Sequence, residues 1–272
     1  MQLQIFDVEH GACALLTADN NTRLMLDCGH NASTAWKPGT YLRQNGIGTL
    51  EMLAITNYDE DHASGAPDLF DNVDVRWLWR NKSISGTTLK QLKSDTGMGT
   101  GIDRLCYVID NVFTGAGPSA ASPSPQFQGL LQRACFYNNY PKFDDENNLS
   151  MAVFLRCHNV GIMFTGDLEK AGFAELLKDQ GFRNALSSTN VYVASHHGRE
   201  SGCSAEVAAL LSNVYYVVIS DKGYAHDTQE TLPFYRSIAK GGPFRNDTRR
   251  VLTTRRDGRI GFNLHDGSWW PY

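Results

Sequence analysis

Short runs of apolar residues open the chain and alternate with polar positions. Residues 2–8 place Leu3 and Ile5 between polar neighbours, and residues 12–17 and 23–26 form two further apolar runs. A period of two is typical of a half-buried β-strand, and the Asp-Asn-Asn sequence at 19–21 favours a turn. We therefore predict three strands, the last two of which form a hairpin.

The rest of the chain mixes short apolar runs with helical stripes. Further strands are predicted at residues 52–56, 75–80, 151–157, 160–165, 190–194 and 215–220, and a C-terminal hairpin at 250–255 and 259–264. Helices are predicted at residues 40–45, 168–179, 204–211 and 229–239. Strands and helices that mingle in this way, with hairpins at both ends, predict an α/β fold in which two mixed sheets lie between helix layers, an αββα sandwich.

Residues 82–129 have a different character. Glycine recurs at 97, 99 and 101, and residues 115–125 are rich in Gly, Ala, Ser and Pro. No clear strand precedes the glycines, so a loop is favoured over a phosphate-binding turn. We interpret the segment as a loop-rich insertion in a single domain that spans residues 1–272.

Composition narrows the class of protein. The 272 residues are 42% hydrophobic and 20% charged, which is typical of a globular chain able to bury a core without metals or disulfides. A net charge of −4 argues against an extensive nucleic-acid coat but permits a local basic patch. The chain has no apolar run long enough to predict a membrane span, and Asp7 and Glu9 argue against a signal peptide. Six scattered cysteines favour free thiols in the cytoplasm.

Acidic and histidine side chains follow three of the predicted strands. They are Asp59, Asp61 and His62 after the strand at 52–56, Asp167 after the strand at 160–165, and His196 and His197 after the strand at 190–194. Clustered carboxylates and imidazoles need a compensating cation or solvent, and together they suit divalent ions of hard to borderline character. The pattern indicates a site for one or two divalent cations.

The order of these motifs resembles the metallo-β-lactamase fold superfamily, in particular the branch that includes the nuclease-like domain of ComEC-type DNA-uptake proteins. The similar segments are residues 6–16, the Asp-Cys-Gly at 27–29, residues 56–65, the Asn-Asn-Leu-Ser at 147–150, the Thr-Gly-Asp at 165–167, the His-His-Gly at 196–198, residues 220–226 and residues 251–262. They cover most of the chain outside the insertion. The resemblance implies an αββα fold and a metal-dependent hydrolase.

The resemblance also implies a ligand set. Asp61, His62 and His196 would hold one ion, with Asp167 as a bridge. Asp59 and Asn57 stand where the family has histidines, so they would form a weakened first site in which Asn57 is a poor, neutral ligand. The motif leaves open whether His196 or His197 binds the metal, and we assign His196; Asp27 is given a supporting role. We expect one or two divalent ions, Mn²⁺ or Zn²⁺ first and Mg²⁺ next. The carboxylate at Asp59 in place of an imidazole tilts the site towards the harder ions Mn²⁺ and Mg²⁺.

The function favoured by these residues is hydrolysis of a phosphodiester by a metal-activated water, with DNA, RNA or a nucleotide as substrate. Asp61 would orient the nucleophile, and His197 or His226 would donate a proton to the leaving oxygen. The basic run between Arg245 and Arg259 either holds phosphates or is a solvated face of the C-terminal hairpin.

Two alternatives remain. Loss of a ligand at Asn57 is consistent with a degenerate, non-catalytic binding or assembly module, with the insertion as a surface for a protein partner. A hydrolase of carbon esters or thioesters is the other, because one fold hosts many chemistries.

Overall fold

The computed structural model of the protein describes residues 1–94, 97–115, 127, 131–222, 230–265 and 268–272. The strands are β1 (Gln2–Ile5), β2 (Ala14–Thr17), β3 (Arg23–Leu26), β4 (Thr49–Leu50), β5 (Met52–Ala54), β6 (Asp74–Val75), β7 (Leu78–Trp79), β8 (Leu131–Tyr137), β9 (Met151–Cys157), β10 (Val160–Phe164), β11 (Val191–Val193), β12 (Tyr216–Ile219), β13 (Gly242–Phe244), β14 (Asp247–Arg249), β15 (Val251–Thr253), β16 (Ile260–His265) and β17 (Ser268–Pro271). The helices are α1 (Pro38–Gln44), α2 (Glu60–Ala63), α3 (Ala66–Asn72), α4 (Gly86–Leu92), α5 (Thr100–Asn111), α6 (Lys170–Leu176), α7 (Gln180–Ser187), α8 (Ala205–Leu210), α9 (Leu232–Ile238) and α10 (Thr254–Asp257).

Two large sheets carry most of the strands. One has seven strands in the order β17-β16-β1-β2-β3-β5-β7, and the other has six in the order β15-β12-β11-β10-β9-β8. Apolar residues of both sheets share one buried cluster, which includes Leu3 and Leu24 from the first sheet and Val153 and Ile162 from the second. The two sheets therefore pack face to face around the main core.

Strand β3 illustrates how the alternation of side chains builds the layers. Leu24 and Leu26 belong to the cluster between the sheets, whereas Met25 belongs to a second cluster on the opposite face. Successive residues of a strand point to opposite faces, so a strand that is apolar throughout is buried on both sides. Helices supply the cover on each outer face.

The helices divide between the two outer faces. The cluster that contains Met25 includes Leu42 of α1, Leu69 of α3 and Leu105 of α5. A third cluster packs α6, α7, α8 and α9 on the outer face of the six-stranded sheet. The predicted αββα sandwich is confirmed.

Part of the predicted loop-rich insertion is helical. Ser85 caps α4 by accepting a hydrogen bond from the backbone amide of Thr88 at 2.9 Å. In α5, Ile102, Leu105 and Ile109 lie on one buried face. Their three-to-four-residue spacing is that of an amphipathic helix, and the neighbouring glycines obscured it. Residues 95–96, 116–126 and 128–129 of the insertion lie outside the described residues.

The predicted C-terminal hairpin is also different in the structure. Strand β15 pairs in parallel with β12 in the six-stranded sheet, and β16 pairs antiparallel with β1 in the seven-stranded sheet. The short helix α10 connects them. This helix ends at Gly258, whose φ of +65° is not helical. The Asp257 carboxylate accepts from the Thr253 amide at 2.9 Å and also binds Arg249.

Two further observations concern topology and redox state. None of the described helices is long and apolar enough to cross a membrane. All six cysteines are free thiols, of which Cys135 and Cys203 are partly exposed. Burial raises the pKa of the Cys13 and Cys28 thiols, so both stay protonated near neutral pH.

The strand ends that carry the acidic and histidine residues meet where the sheets face each other. Strands β10, β11, β12 and β15 run parallel, and so do β3 and β5 in the other sheet. The backbone leaving β3 crosses closely over α2: the Cys28 amide donates to the His62 carbonyl at 2.8 Å. A Cβ at Gly29 would lie 2.4 Å from the Asp61 carbonyl oxygen, so only glycine allows this approach.

Replacing Gly29 with alanine is therefore expected to separate α2 from the β3 end and to lower the free energy of unfolding by about 2 kcal/mol or more. Chemical denaturation measures the change. Gly48→Ala is the control, since the nearest atom to its Cβ would be the end of Arg43 at 3.8 Å. Equal stabilities for the two variants would contradict the close approach.

Candidate metal centre

Four side chains converge at this edge. They are Asp61, His62, Asp167 and His197, and one ligand atom from each lies within 4.8 Å of the others. His62 Nε2 is 3.1 Å from Asp167 Oδ1 and 3.2 Å from His197 Nε2. His197 Nε2 is also 3.2 Å from Asp61 Oδ2. Among the residues that the structure describes, no other group of three or more such side chains could share an ion.

Each residue reaches the centre from the carboxyl end of a strand. Asp61 and His62 lie in α2, which follows β5, and Asp167 follows β10. His197 lies in a 3₁₀ turn, Ser195–Gly198, after β11. His196, His197 and Gly198 have φ values of +49°, +51° and +82°, a left-handed conformation that side-chain-bearing residues rarely adopt. The turn brings His197 to the centre.

Both imidazole rings of the centre are fixed through Nδ1. His197 Nδ1 donates to the carbonyl oxygen of Ser220 at 2.9 Å, and a carbonyl can only accept. His62 Nδ1 donates to Asp27 Oδ2 at 2.9 Å. In the neutral rings Nε2 therefore carries the lone pair, and both lone pairs face the centre. Metal-binding histidines in proteins are held by carboxylates and backbone carbonyls in this manner.

Asp27 supports the centre from behind, next to His62. Its φ of +58° bends the chain at the end of β3. Asp27 Oδ1 accepts from the Thr56 amide at 2.7 Å, and Oδ2 accepts from the Thr56 hydroxyl. These bonds fix the carboxylate against the first residues after β5, so Asp27 orients His62 from the side remote from the other ligand atoms.

The four donors fit a divalent cation. Four ligands about 2.0–2.1 Å from one ion in a tetrahedron are about 3.3–3.4 Å apart, close to the distances found here. Two nitrogens and two carboxylate oxygens suit Zn²⁺ or Mn²⁺.

Electrostatics within the centre favour positive charge. Burial alone lowers the pKa of His197, but the Asp167 and Asp61 carboxylates raise it to about 10. Asp167 and Asp27 likewise raise the pKa of buried His62 well above its ordinary value. Burial opposes ionisation of Asp61, yet the hydrogen bond from His197 and the neighbouring imidazoles lower its pKa to about 2. The protons on the two rings thus supply the positive charge that a bound cation would otherwise supply to the carboxylates.

Two residues predicted for a first metal site lie outside this group. Asp59 pairs with the Lys93 ammonium, which also contacts Glu146 Oε1 at 3.0 Å. Asn57 is fully buried, and its amide donates to Ser150 Oγ at 2.9 Å while its oxygen accepts from the Asp59 amide at 2.5 Å. Lys93 and the polar network occupy the donors that a first ion would have used.

His196 also points elsewhere. Its Nδ1 is 2.9 Å from Ser201 Oγ and 3.3 Å from Glu169 Oε1, and its Nε2 accepts from Arg199 at 3.1 Å. The structure therefore places His197, rather than the assigned His196, beside Asp61, His62 and Asp167. His226, the other predicted proton donor, lies outside the described residues.

His10 and Arg199 are site residues that the sequence did not single out. The His10 ring lies 4.4 Å from the His197 ring, and its Nε2 is 3.8 Å from Asp61 Oδ2. Arg199 donates to both His10 and His196 at 3.1 Å. His10 stands in the first motif, shortly after β1, which is the signal that could have identified it.

No protein-family model matches the sequence, and no curated protein matches it either. Solved structures do match. Zn²⁺-bound PqqB from Methylobacterium extorquens superposes with a TM-score of 0.52 at 10% identity, and the match covers 99% of each chain. PqqB is a member of the metallo-β-lactamase superfamily. The chain has the metallo-β-lactamase fold.

Two other structures are similar over nearly their whole length. The metallo-β-lactamase fold protein YhfI from Bacillus subtilis has a TM-score of 0.49 at 10% identity, covering 98% of this chain and 99% of its own. A diphosphatase from the PhnP family has a TM-score of 0.44 at 9% identity, covering 100% and 98%. Likeness at these identities extends to the fold alone. In this metallo-β-lactamase fold the four donors lie where the edges of both sheets meet.

The adjacent histidines provide a matched pair for a metal-binding experiment. His197→Ala removes one of the four donors and is expected to weaken Zn²⁺ binding at least about 100-fold. His196→Ala leaves all four donors in place and is expected to stay within a few-fold of the parent. Competition with a chromophoric chelator measures both constants. A larger loss of Zn²⁺ affinity in His196→Ala than in His197→Ala would contradict the assignment of His197 as the ligand.

Metal binding is expected to release protons at neutral pH. With a pKa raised to about 10, His197 is protonated at pH 7 and must lose its proton before Nε2 can bind an ion. Asp61, with its pKa near 2, is already ionised and releases none. Affinity for Zn²⁺ should therefore rise with pH from 6 to 9. Calorimetry in two buffers of different ionisation enthalpy counts the protons, and an enthalpy independent of buffer would be inconsistent with this.

Proposed function

We propose that the protein is a metal-dependent hydrolase that cleaves phosphodiesters with an activated water. The observation that carries the proposal is the convergence of two imidazole lone pairs and two carboxylates on one point, with both rings fixed from behind. A buried group of this kind costs free energy unless a cation compensates it.

The residues divide the task according to their exposure. His62, Asp167 and His197 are buried, whereas the Asp61 side chain is 25% exposed and borders solvent. The buried three would hold the ion, and Asp61 would also accept a hydrogen bond from the attacking water and orient it. A bound divalent cation would supply a hydroxide-like nucleophile near neutral pH and polarise the substrate oxygen.

We further propose that one ion binds rather than two. Asp59 shares the Lys93 ammonium with Glu146, and Asn57 is engaged with Ser150. A cation already lies against the acid that a second ion would need. Burial lowers the pKa of Lys93, but the Asp59 and Glu146 carboxylates together raise it above its ordinary value, so the amine stays charged at neutral pH. Mn²⁺ and Zn²⁺ are the ions we favour.

The phosphodiester is the finer part of the proposal. It is supported by the resemblance of the ordered motifs to the ComEC-like branch, whose members resemble nucleases, and by the arginines that follow β14 and β15. DNA, RNA and nucleotides are the substrates to test. We also propose that the chain acts as one domain, since both sheets contribute to the centre, and that it works in the cytoplasm, where its free thiols would stay reduced.

The test is hydrolysis by protein stripped with chelator and reloaded with Mn²⁺ or Zn²⁺. The reloaded parent is expected to cleave bis(p-nitrophenyl) phosphate and labelled single- or double-stranded DNA or RNA. Asp61→Ala and His62→Ala should each lower kcat/KM at least about 1,000-fold, since each removes a ligand. His158→Ala is the control, because His158 lies just before β10, at the opposite end of that strand from Asp167. Cleavage by the Asp61 and His62 variants at the rate of the parent would refute the catalytic role.

A non-catalytic binding module is the second candidate. The engagement of Asn57 and Asp59 in hydrogen bonds favours it, because those positions no longer offer free ligands. A parent that binds no divalent ion would support the module, with the surface of α4 and α5 as its partner site. Hydrolysis of p-nitrophenyl acetate or an acyl thioester, but of no phosphodiester, would instead indicate an esterase.

A further inference from the structure

A cavity separate from the metal centre has arginine at five of its ten lining residues. Its volume is about 490 Å³, and it lies between α9, β14, β15 and α10. We call it the arginine cleft. The five arginines that line it are Arg236, Arg249, Arg250, Arg255 and Arg256. Asp247 is the one acid among the lining residues that the structure describes.

Two of the arginines have a structural role in the walls of the cleft. Arg249 forms two hydrogen bonds with the Asp257 carboxylate, at 3.2 and 3.1 Å. Arg255 binds Asp221 Oδ2 at 2.7 Å. Both acids are buried, so these pairs hold β14, β15 and α10 in place and leave little net charge.

The other three arginines carry uncompensated charge. Arg236, Arg250 and Arg256 are exposed, and within the described part of the chain none of them forms an ion pair with an acidic side chain. Three like charges around one cavity repel one another, and an anionic ligand would relieve that repulsion. The cleft therefore has the charge of an anion site.

The cleft leads to the edge that holds the metal centre. It follows β15 from Arg249 to Arg256, and β15 lies beside β12, with Thr253 opposite Ile219. Directly after β12, the Ser220 carbonyl holds His197, and Asp221 binds Arg255. Strand β15 is two places from β11, so by strand spacing its end lies about 10 Å from that of β11.

We propose that the arginine cleft binds phosphate groups that neighbour the scissile one, so that the substrate is a chain of linked phosphates rather than an isolated phosphodiester. The catalytic part of this statement rests on the proposed function. The planar guanidinium donates paired hydrogen bonds to phosphate oxygens, and several arginines along a groove suit phosphates that repeat at short intervals. An oligonucleotide and a nucleoside triphosphate share that chemistry.

The experiment uses metal-free protein, so that binding is separated from cleavage. A fluorescein-labelled oligothymidylate is titrated at increasing KCl and followed by anisotropy. The test variant carries Arg236→Gln, Arg250→Gln and Arg256→Gln, and the control carries Lys37→Gln, Arg43→Gln and Arg76→Gln, which are exposed cations elsewhere with the same total charge. A third variant replaces the three cleft arginines with lysine to keep the charge.

The Gln variant of the cleft is expected to bind the oligothymidylate at least about tenfold more weakly than the parent, whereas the control stays within about twofold. The slope of log K against log [KCl] should fall by about 2, since each phosphate contact in a single strand contributes about 0.7. The lysine variant should recover part of the affinity. Hydrolysis of bis(p-nitrophenyl) phosphate by metal-loaded protein should keep its kcat.

Competition identifies the source of the phosphates. Displacement by ATP or tripolyphosphate at lower concentration than by unlabelled oligothymidylate assigns the cleft to a nucleotide, and the reverse assigns it to nucleic acid; both support the proposal. The proposal is overturned if the Gln variant binds the oligothymidylate as tightly as the parent does. It is also overturned if poly-glutamate displaces the oligothymidylate at the same concentration as the phosphate competitors do. If binding depends on the cleft arginines but no metal-loaded protein hydrolyses a phosphodiester, the proposed function is refuted. The proposal that the cleft binds phosphates is then still supported.

Discussion

Asp27 and Asp167 approach the same imidazole ring from opposite sides. His62 Nδ1 lies 2.9 Å from Asp27, and its Nε2 lies 3.1 Å from Asp167. All three side chains are buried, so none can be removed without leaving a charge or a polar atom uncompensated. Asp27 follows a strand of one sheet, and Asp167 follows a strand of the other. The site therefore exists only when the two sheets are packed at their native separation.

That separation is set by the core between the sheets. Leu26 and Ala54, the last residues of β3 and β5, belong to the same buried cluster as Phe164, the last residue of β10. The partly buried Val193, the last residue of β11, packs against this cluster. Each of these apolar residues comes immediately before or close to a polar residue of the centre. The core thus fixes the positions of the strand ends, and the strand ends fix the ligand atoms to within the few tenths of an ångström that metal binding requires.

The sequence was sufficient for the layers and for most of the centre, because both follow from local patterns. Alternating apolar positions identified β1 to β3, and an acid or histidine directly after an apolar run marked Asp61, His62 and Asp167. The sequence was not sufficient to choose between His196 and His197. That choice depends on a left-handed turn, and two successive positive φ angles at histidine have no signature in local propensity.

Long-range pairing explains the other differences. Asp59 looks like a ligand in its own segment, and only the fold brings Lys93, from the far end of α4, against it. The C-terminal residues read as a hairpin because an Asp-Gly pair separates two apolar runs. In the structure each run finds a different sheet, since β15 extends the parallel strands and β16 completes the antiparallel ones. Neither partner is close in sequence.

The net charge of −4 is a count over the whole chain. It does not show how charge is distributed at this edge of the sheets. The acids Asp27, Asp61 and Asp167 are committed to histidine rings, and Asp221 and Asp257 are committed to arginines. The exposed charges that remain beside β15 are mainly those of the arginine cleft. The cleft therefore presents positive charge to an anion although the chain as a whole is acidic.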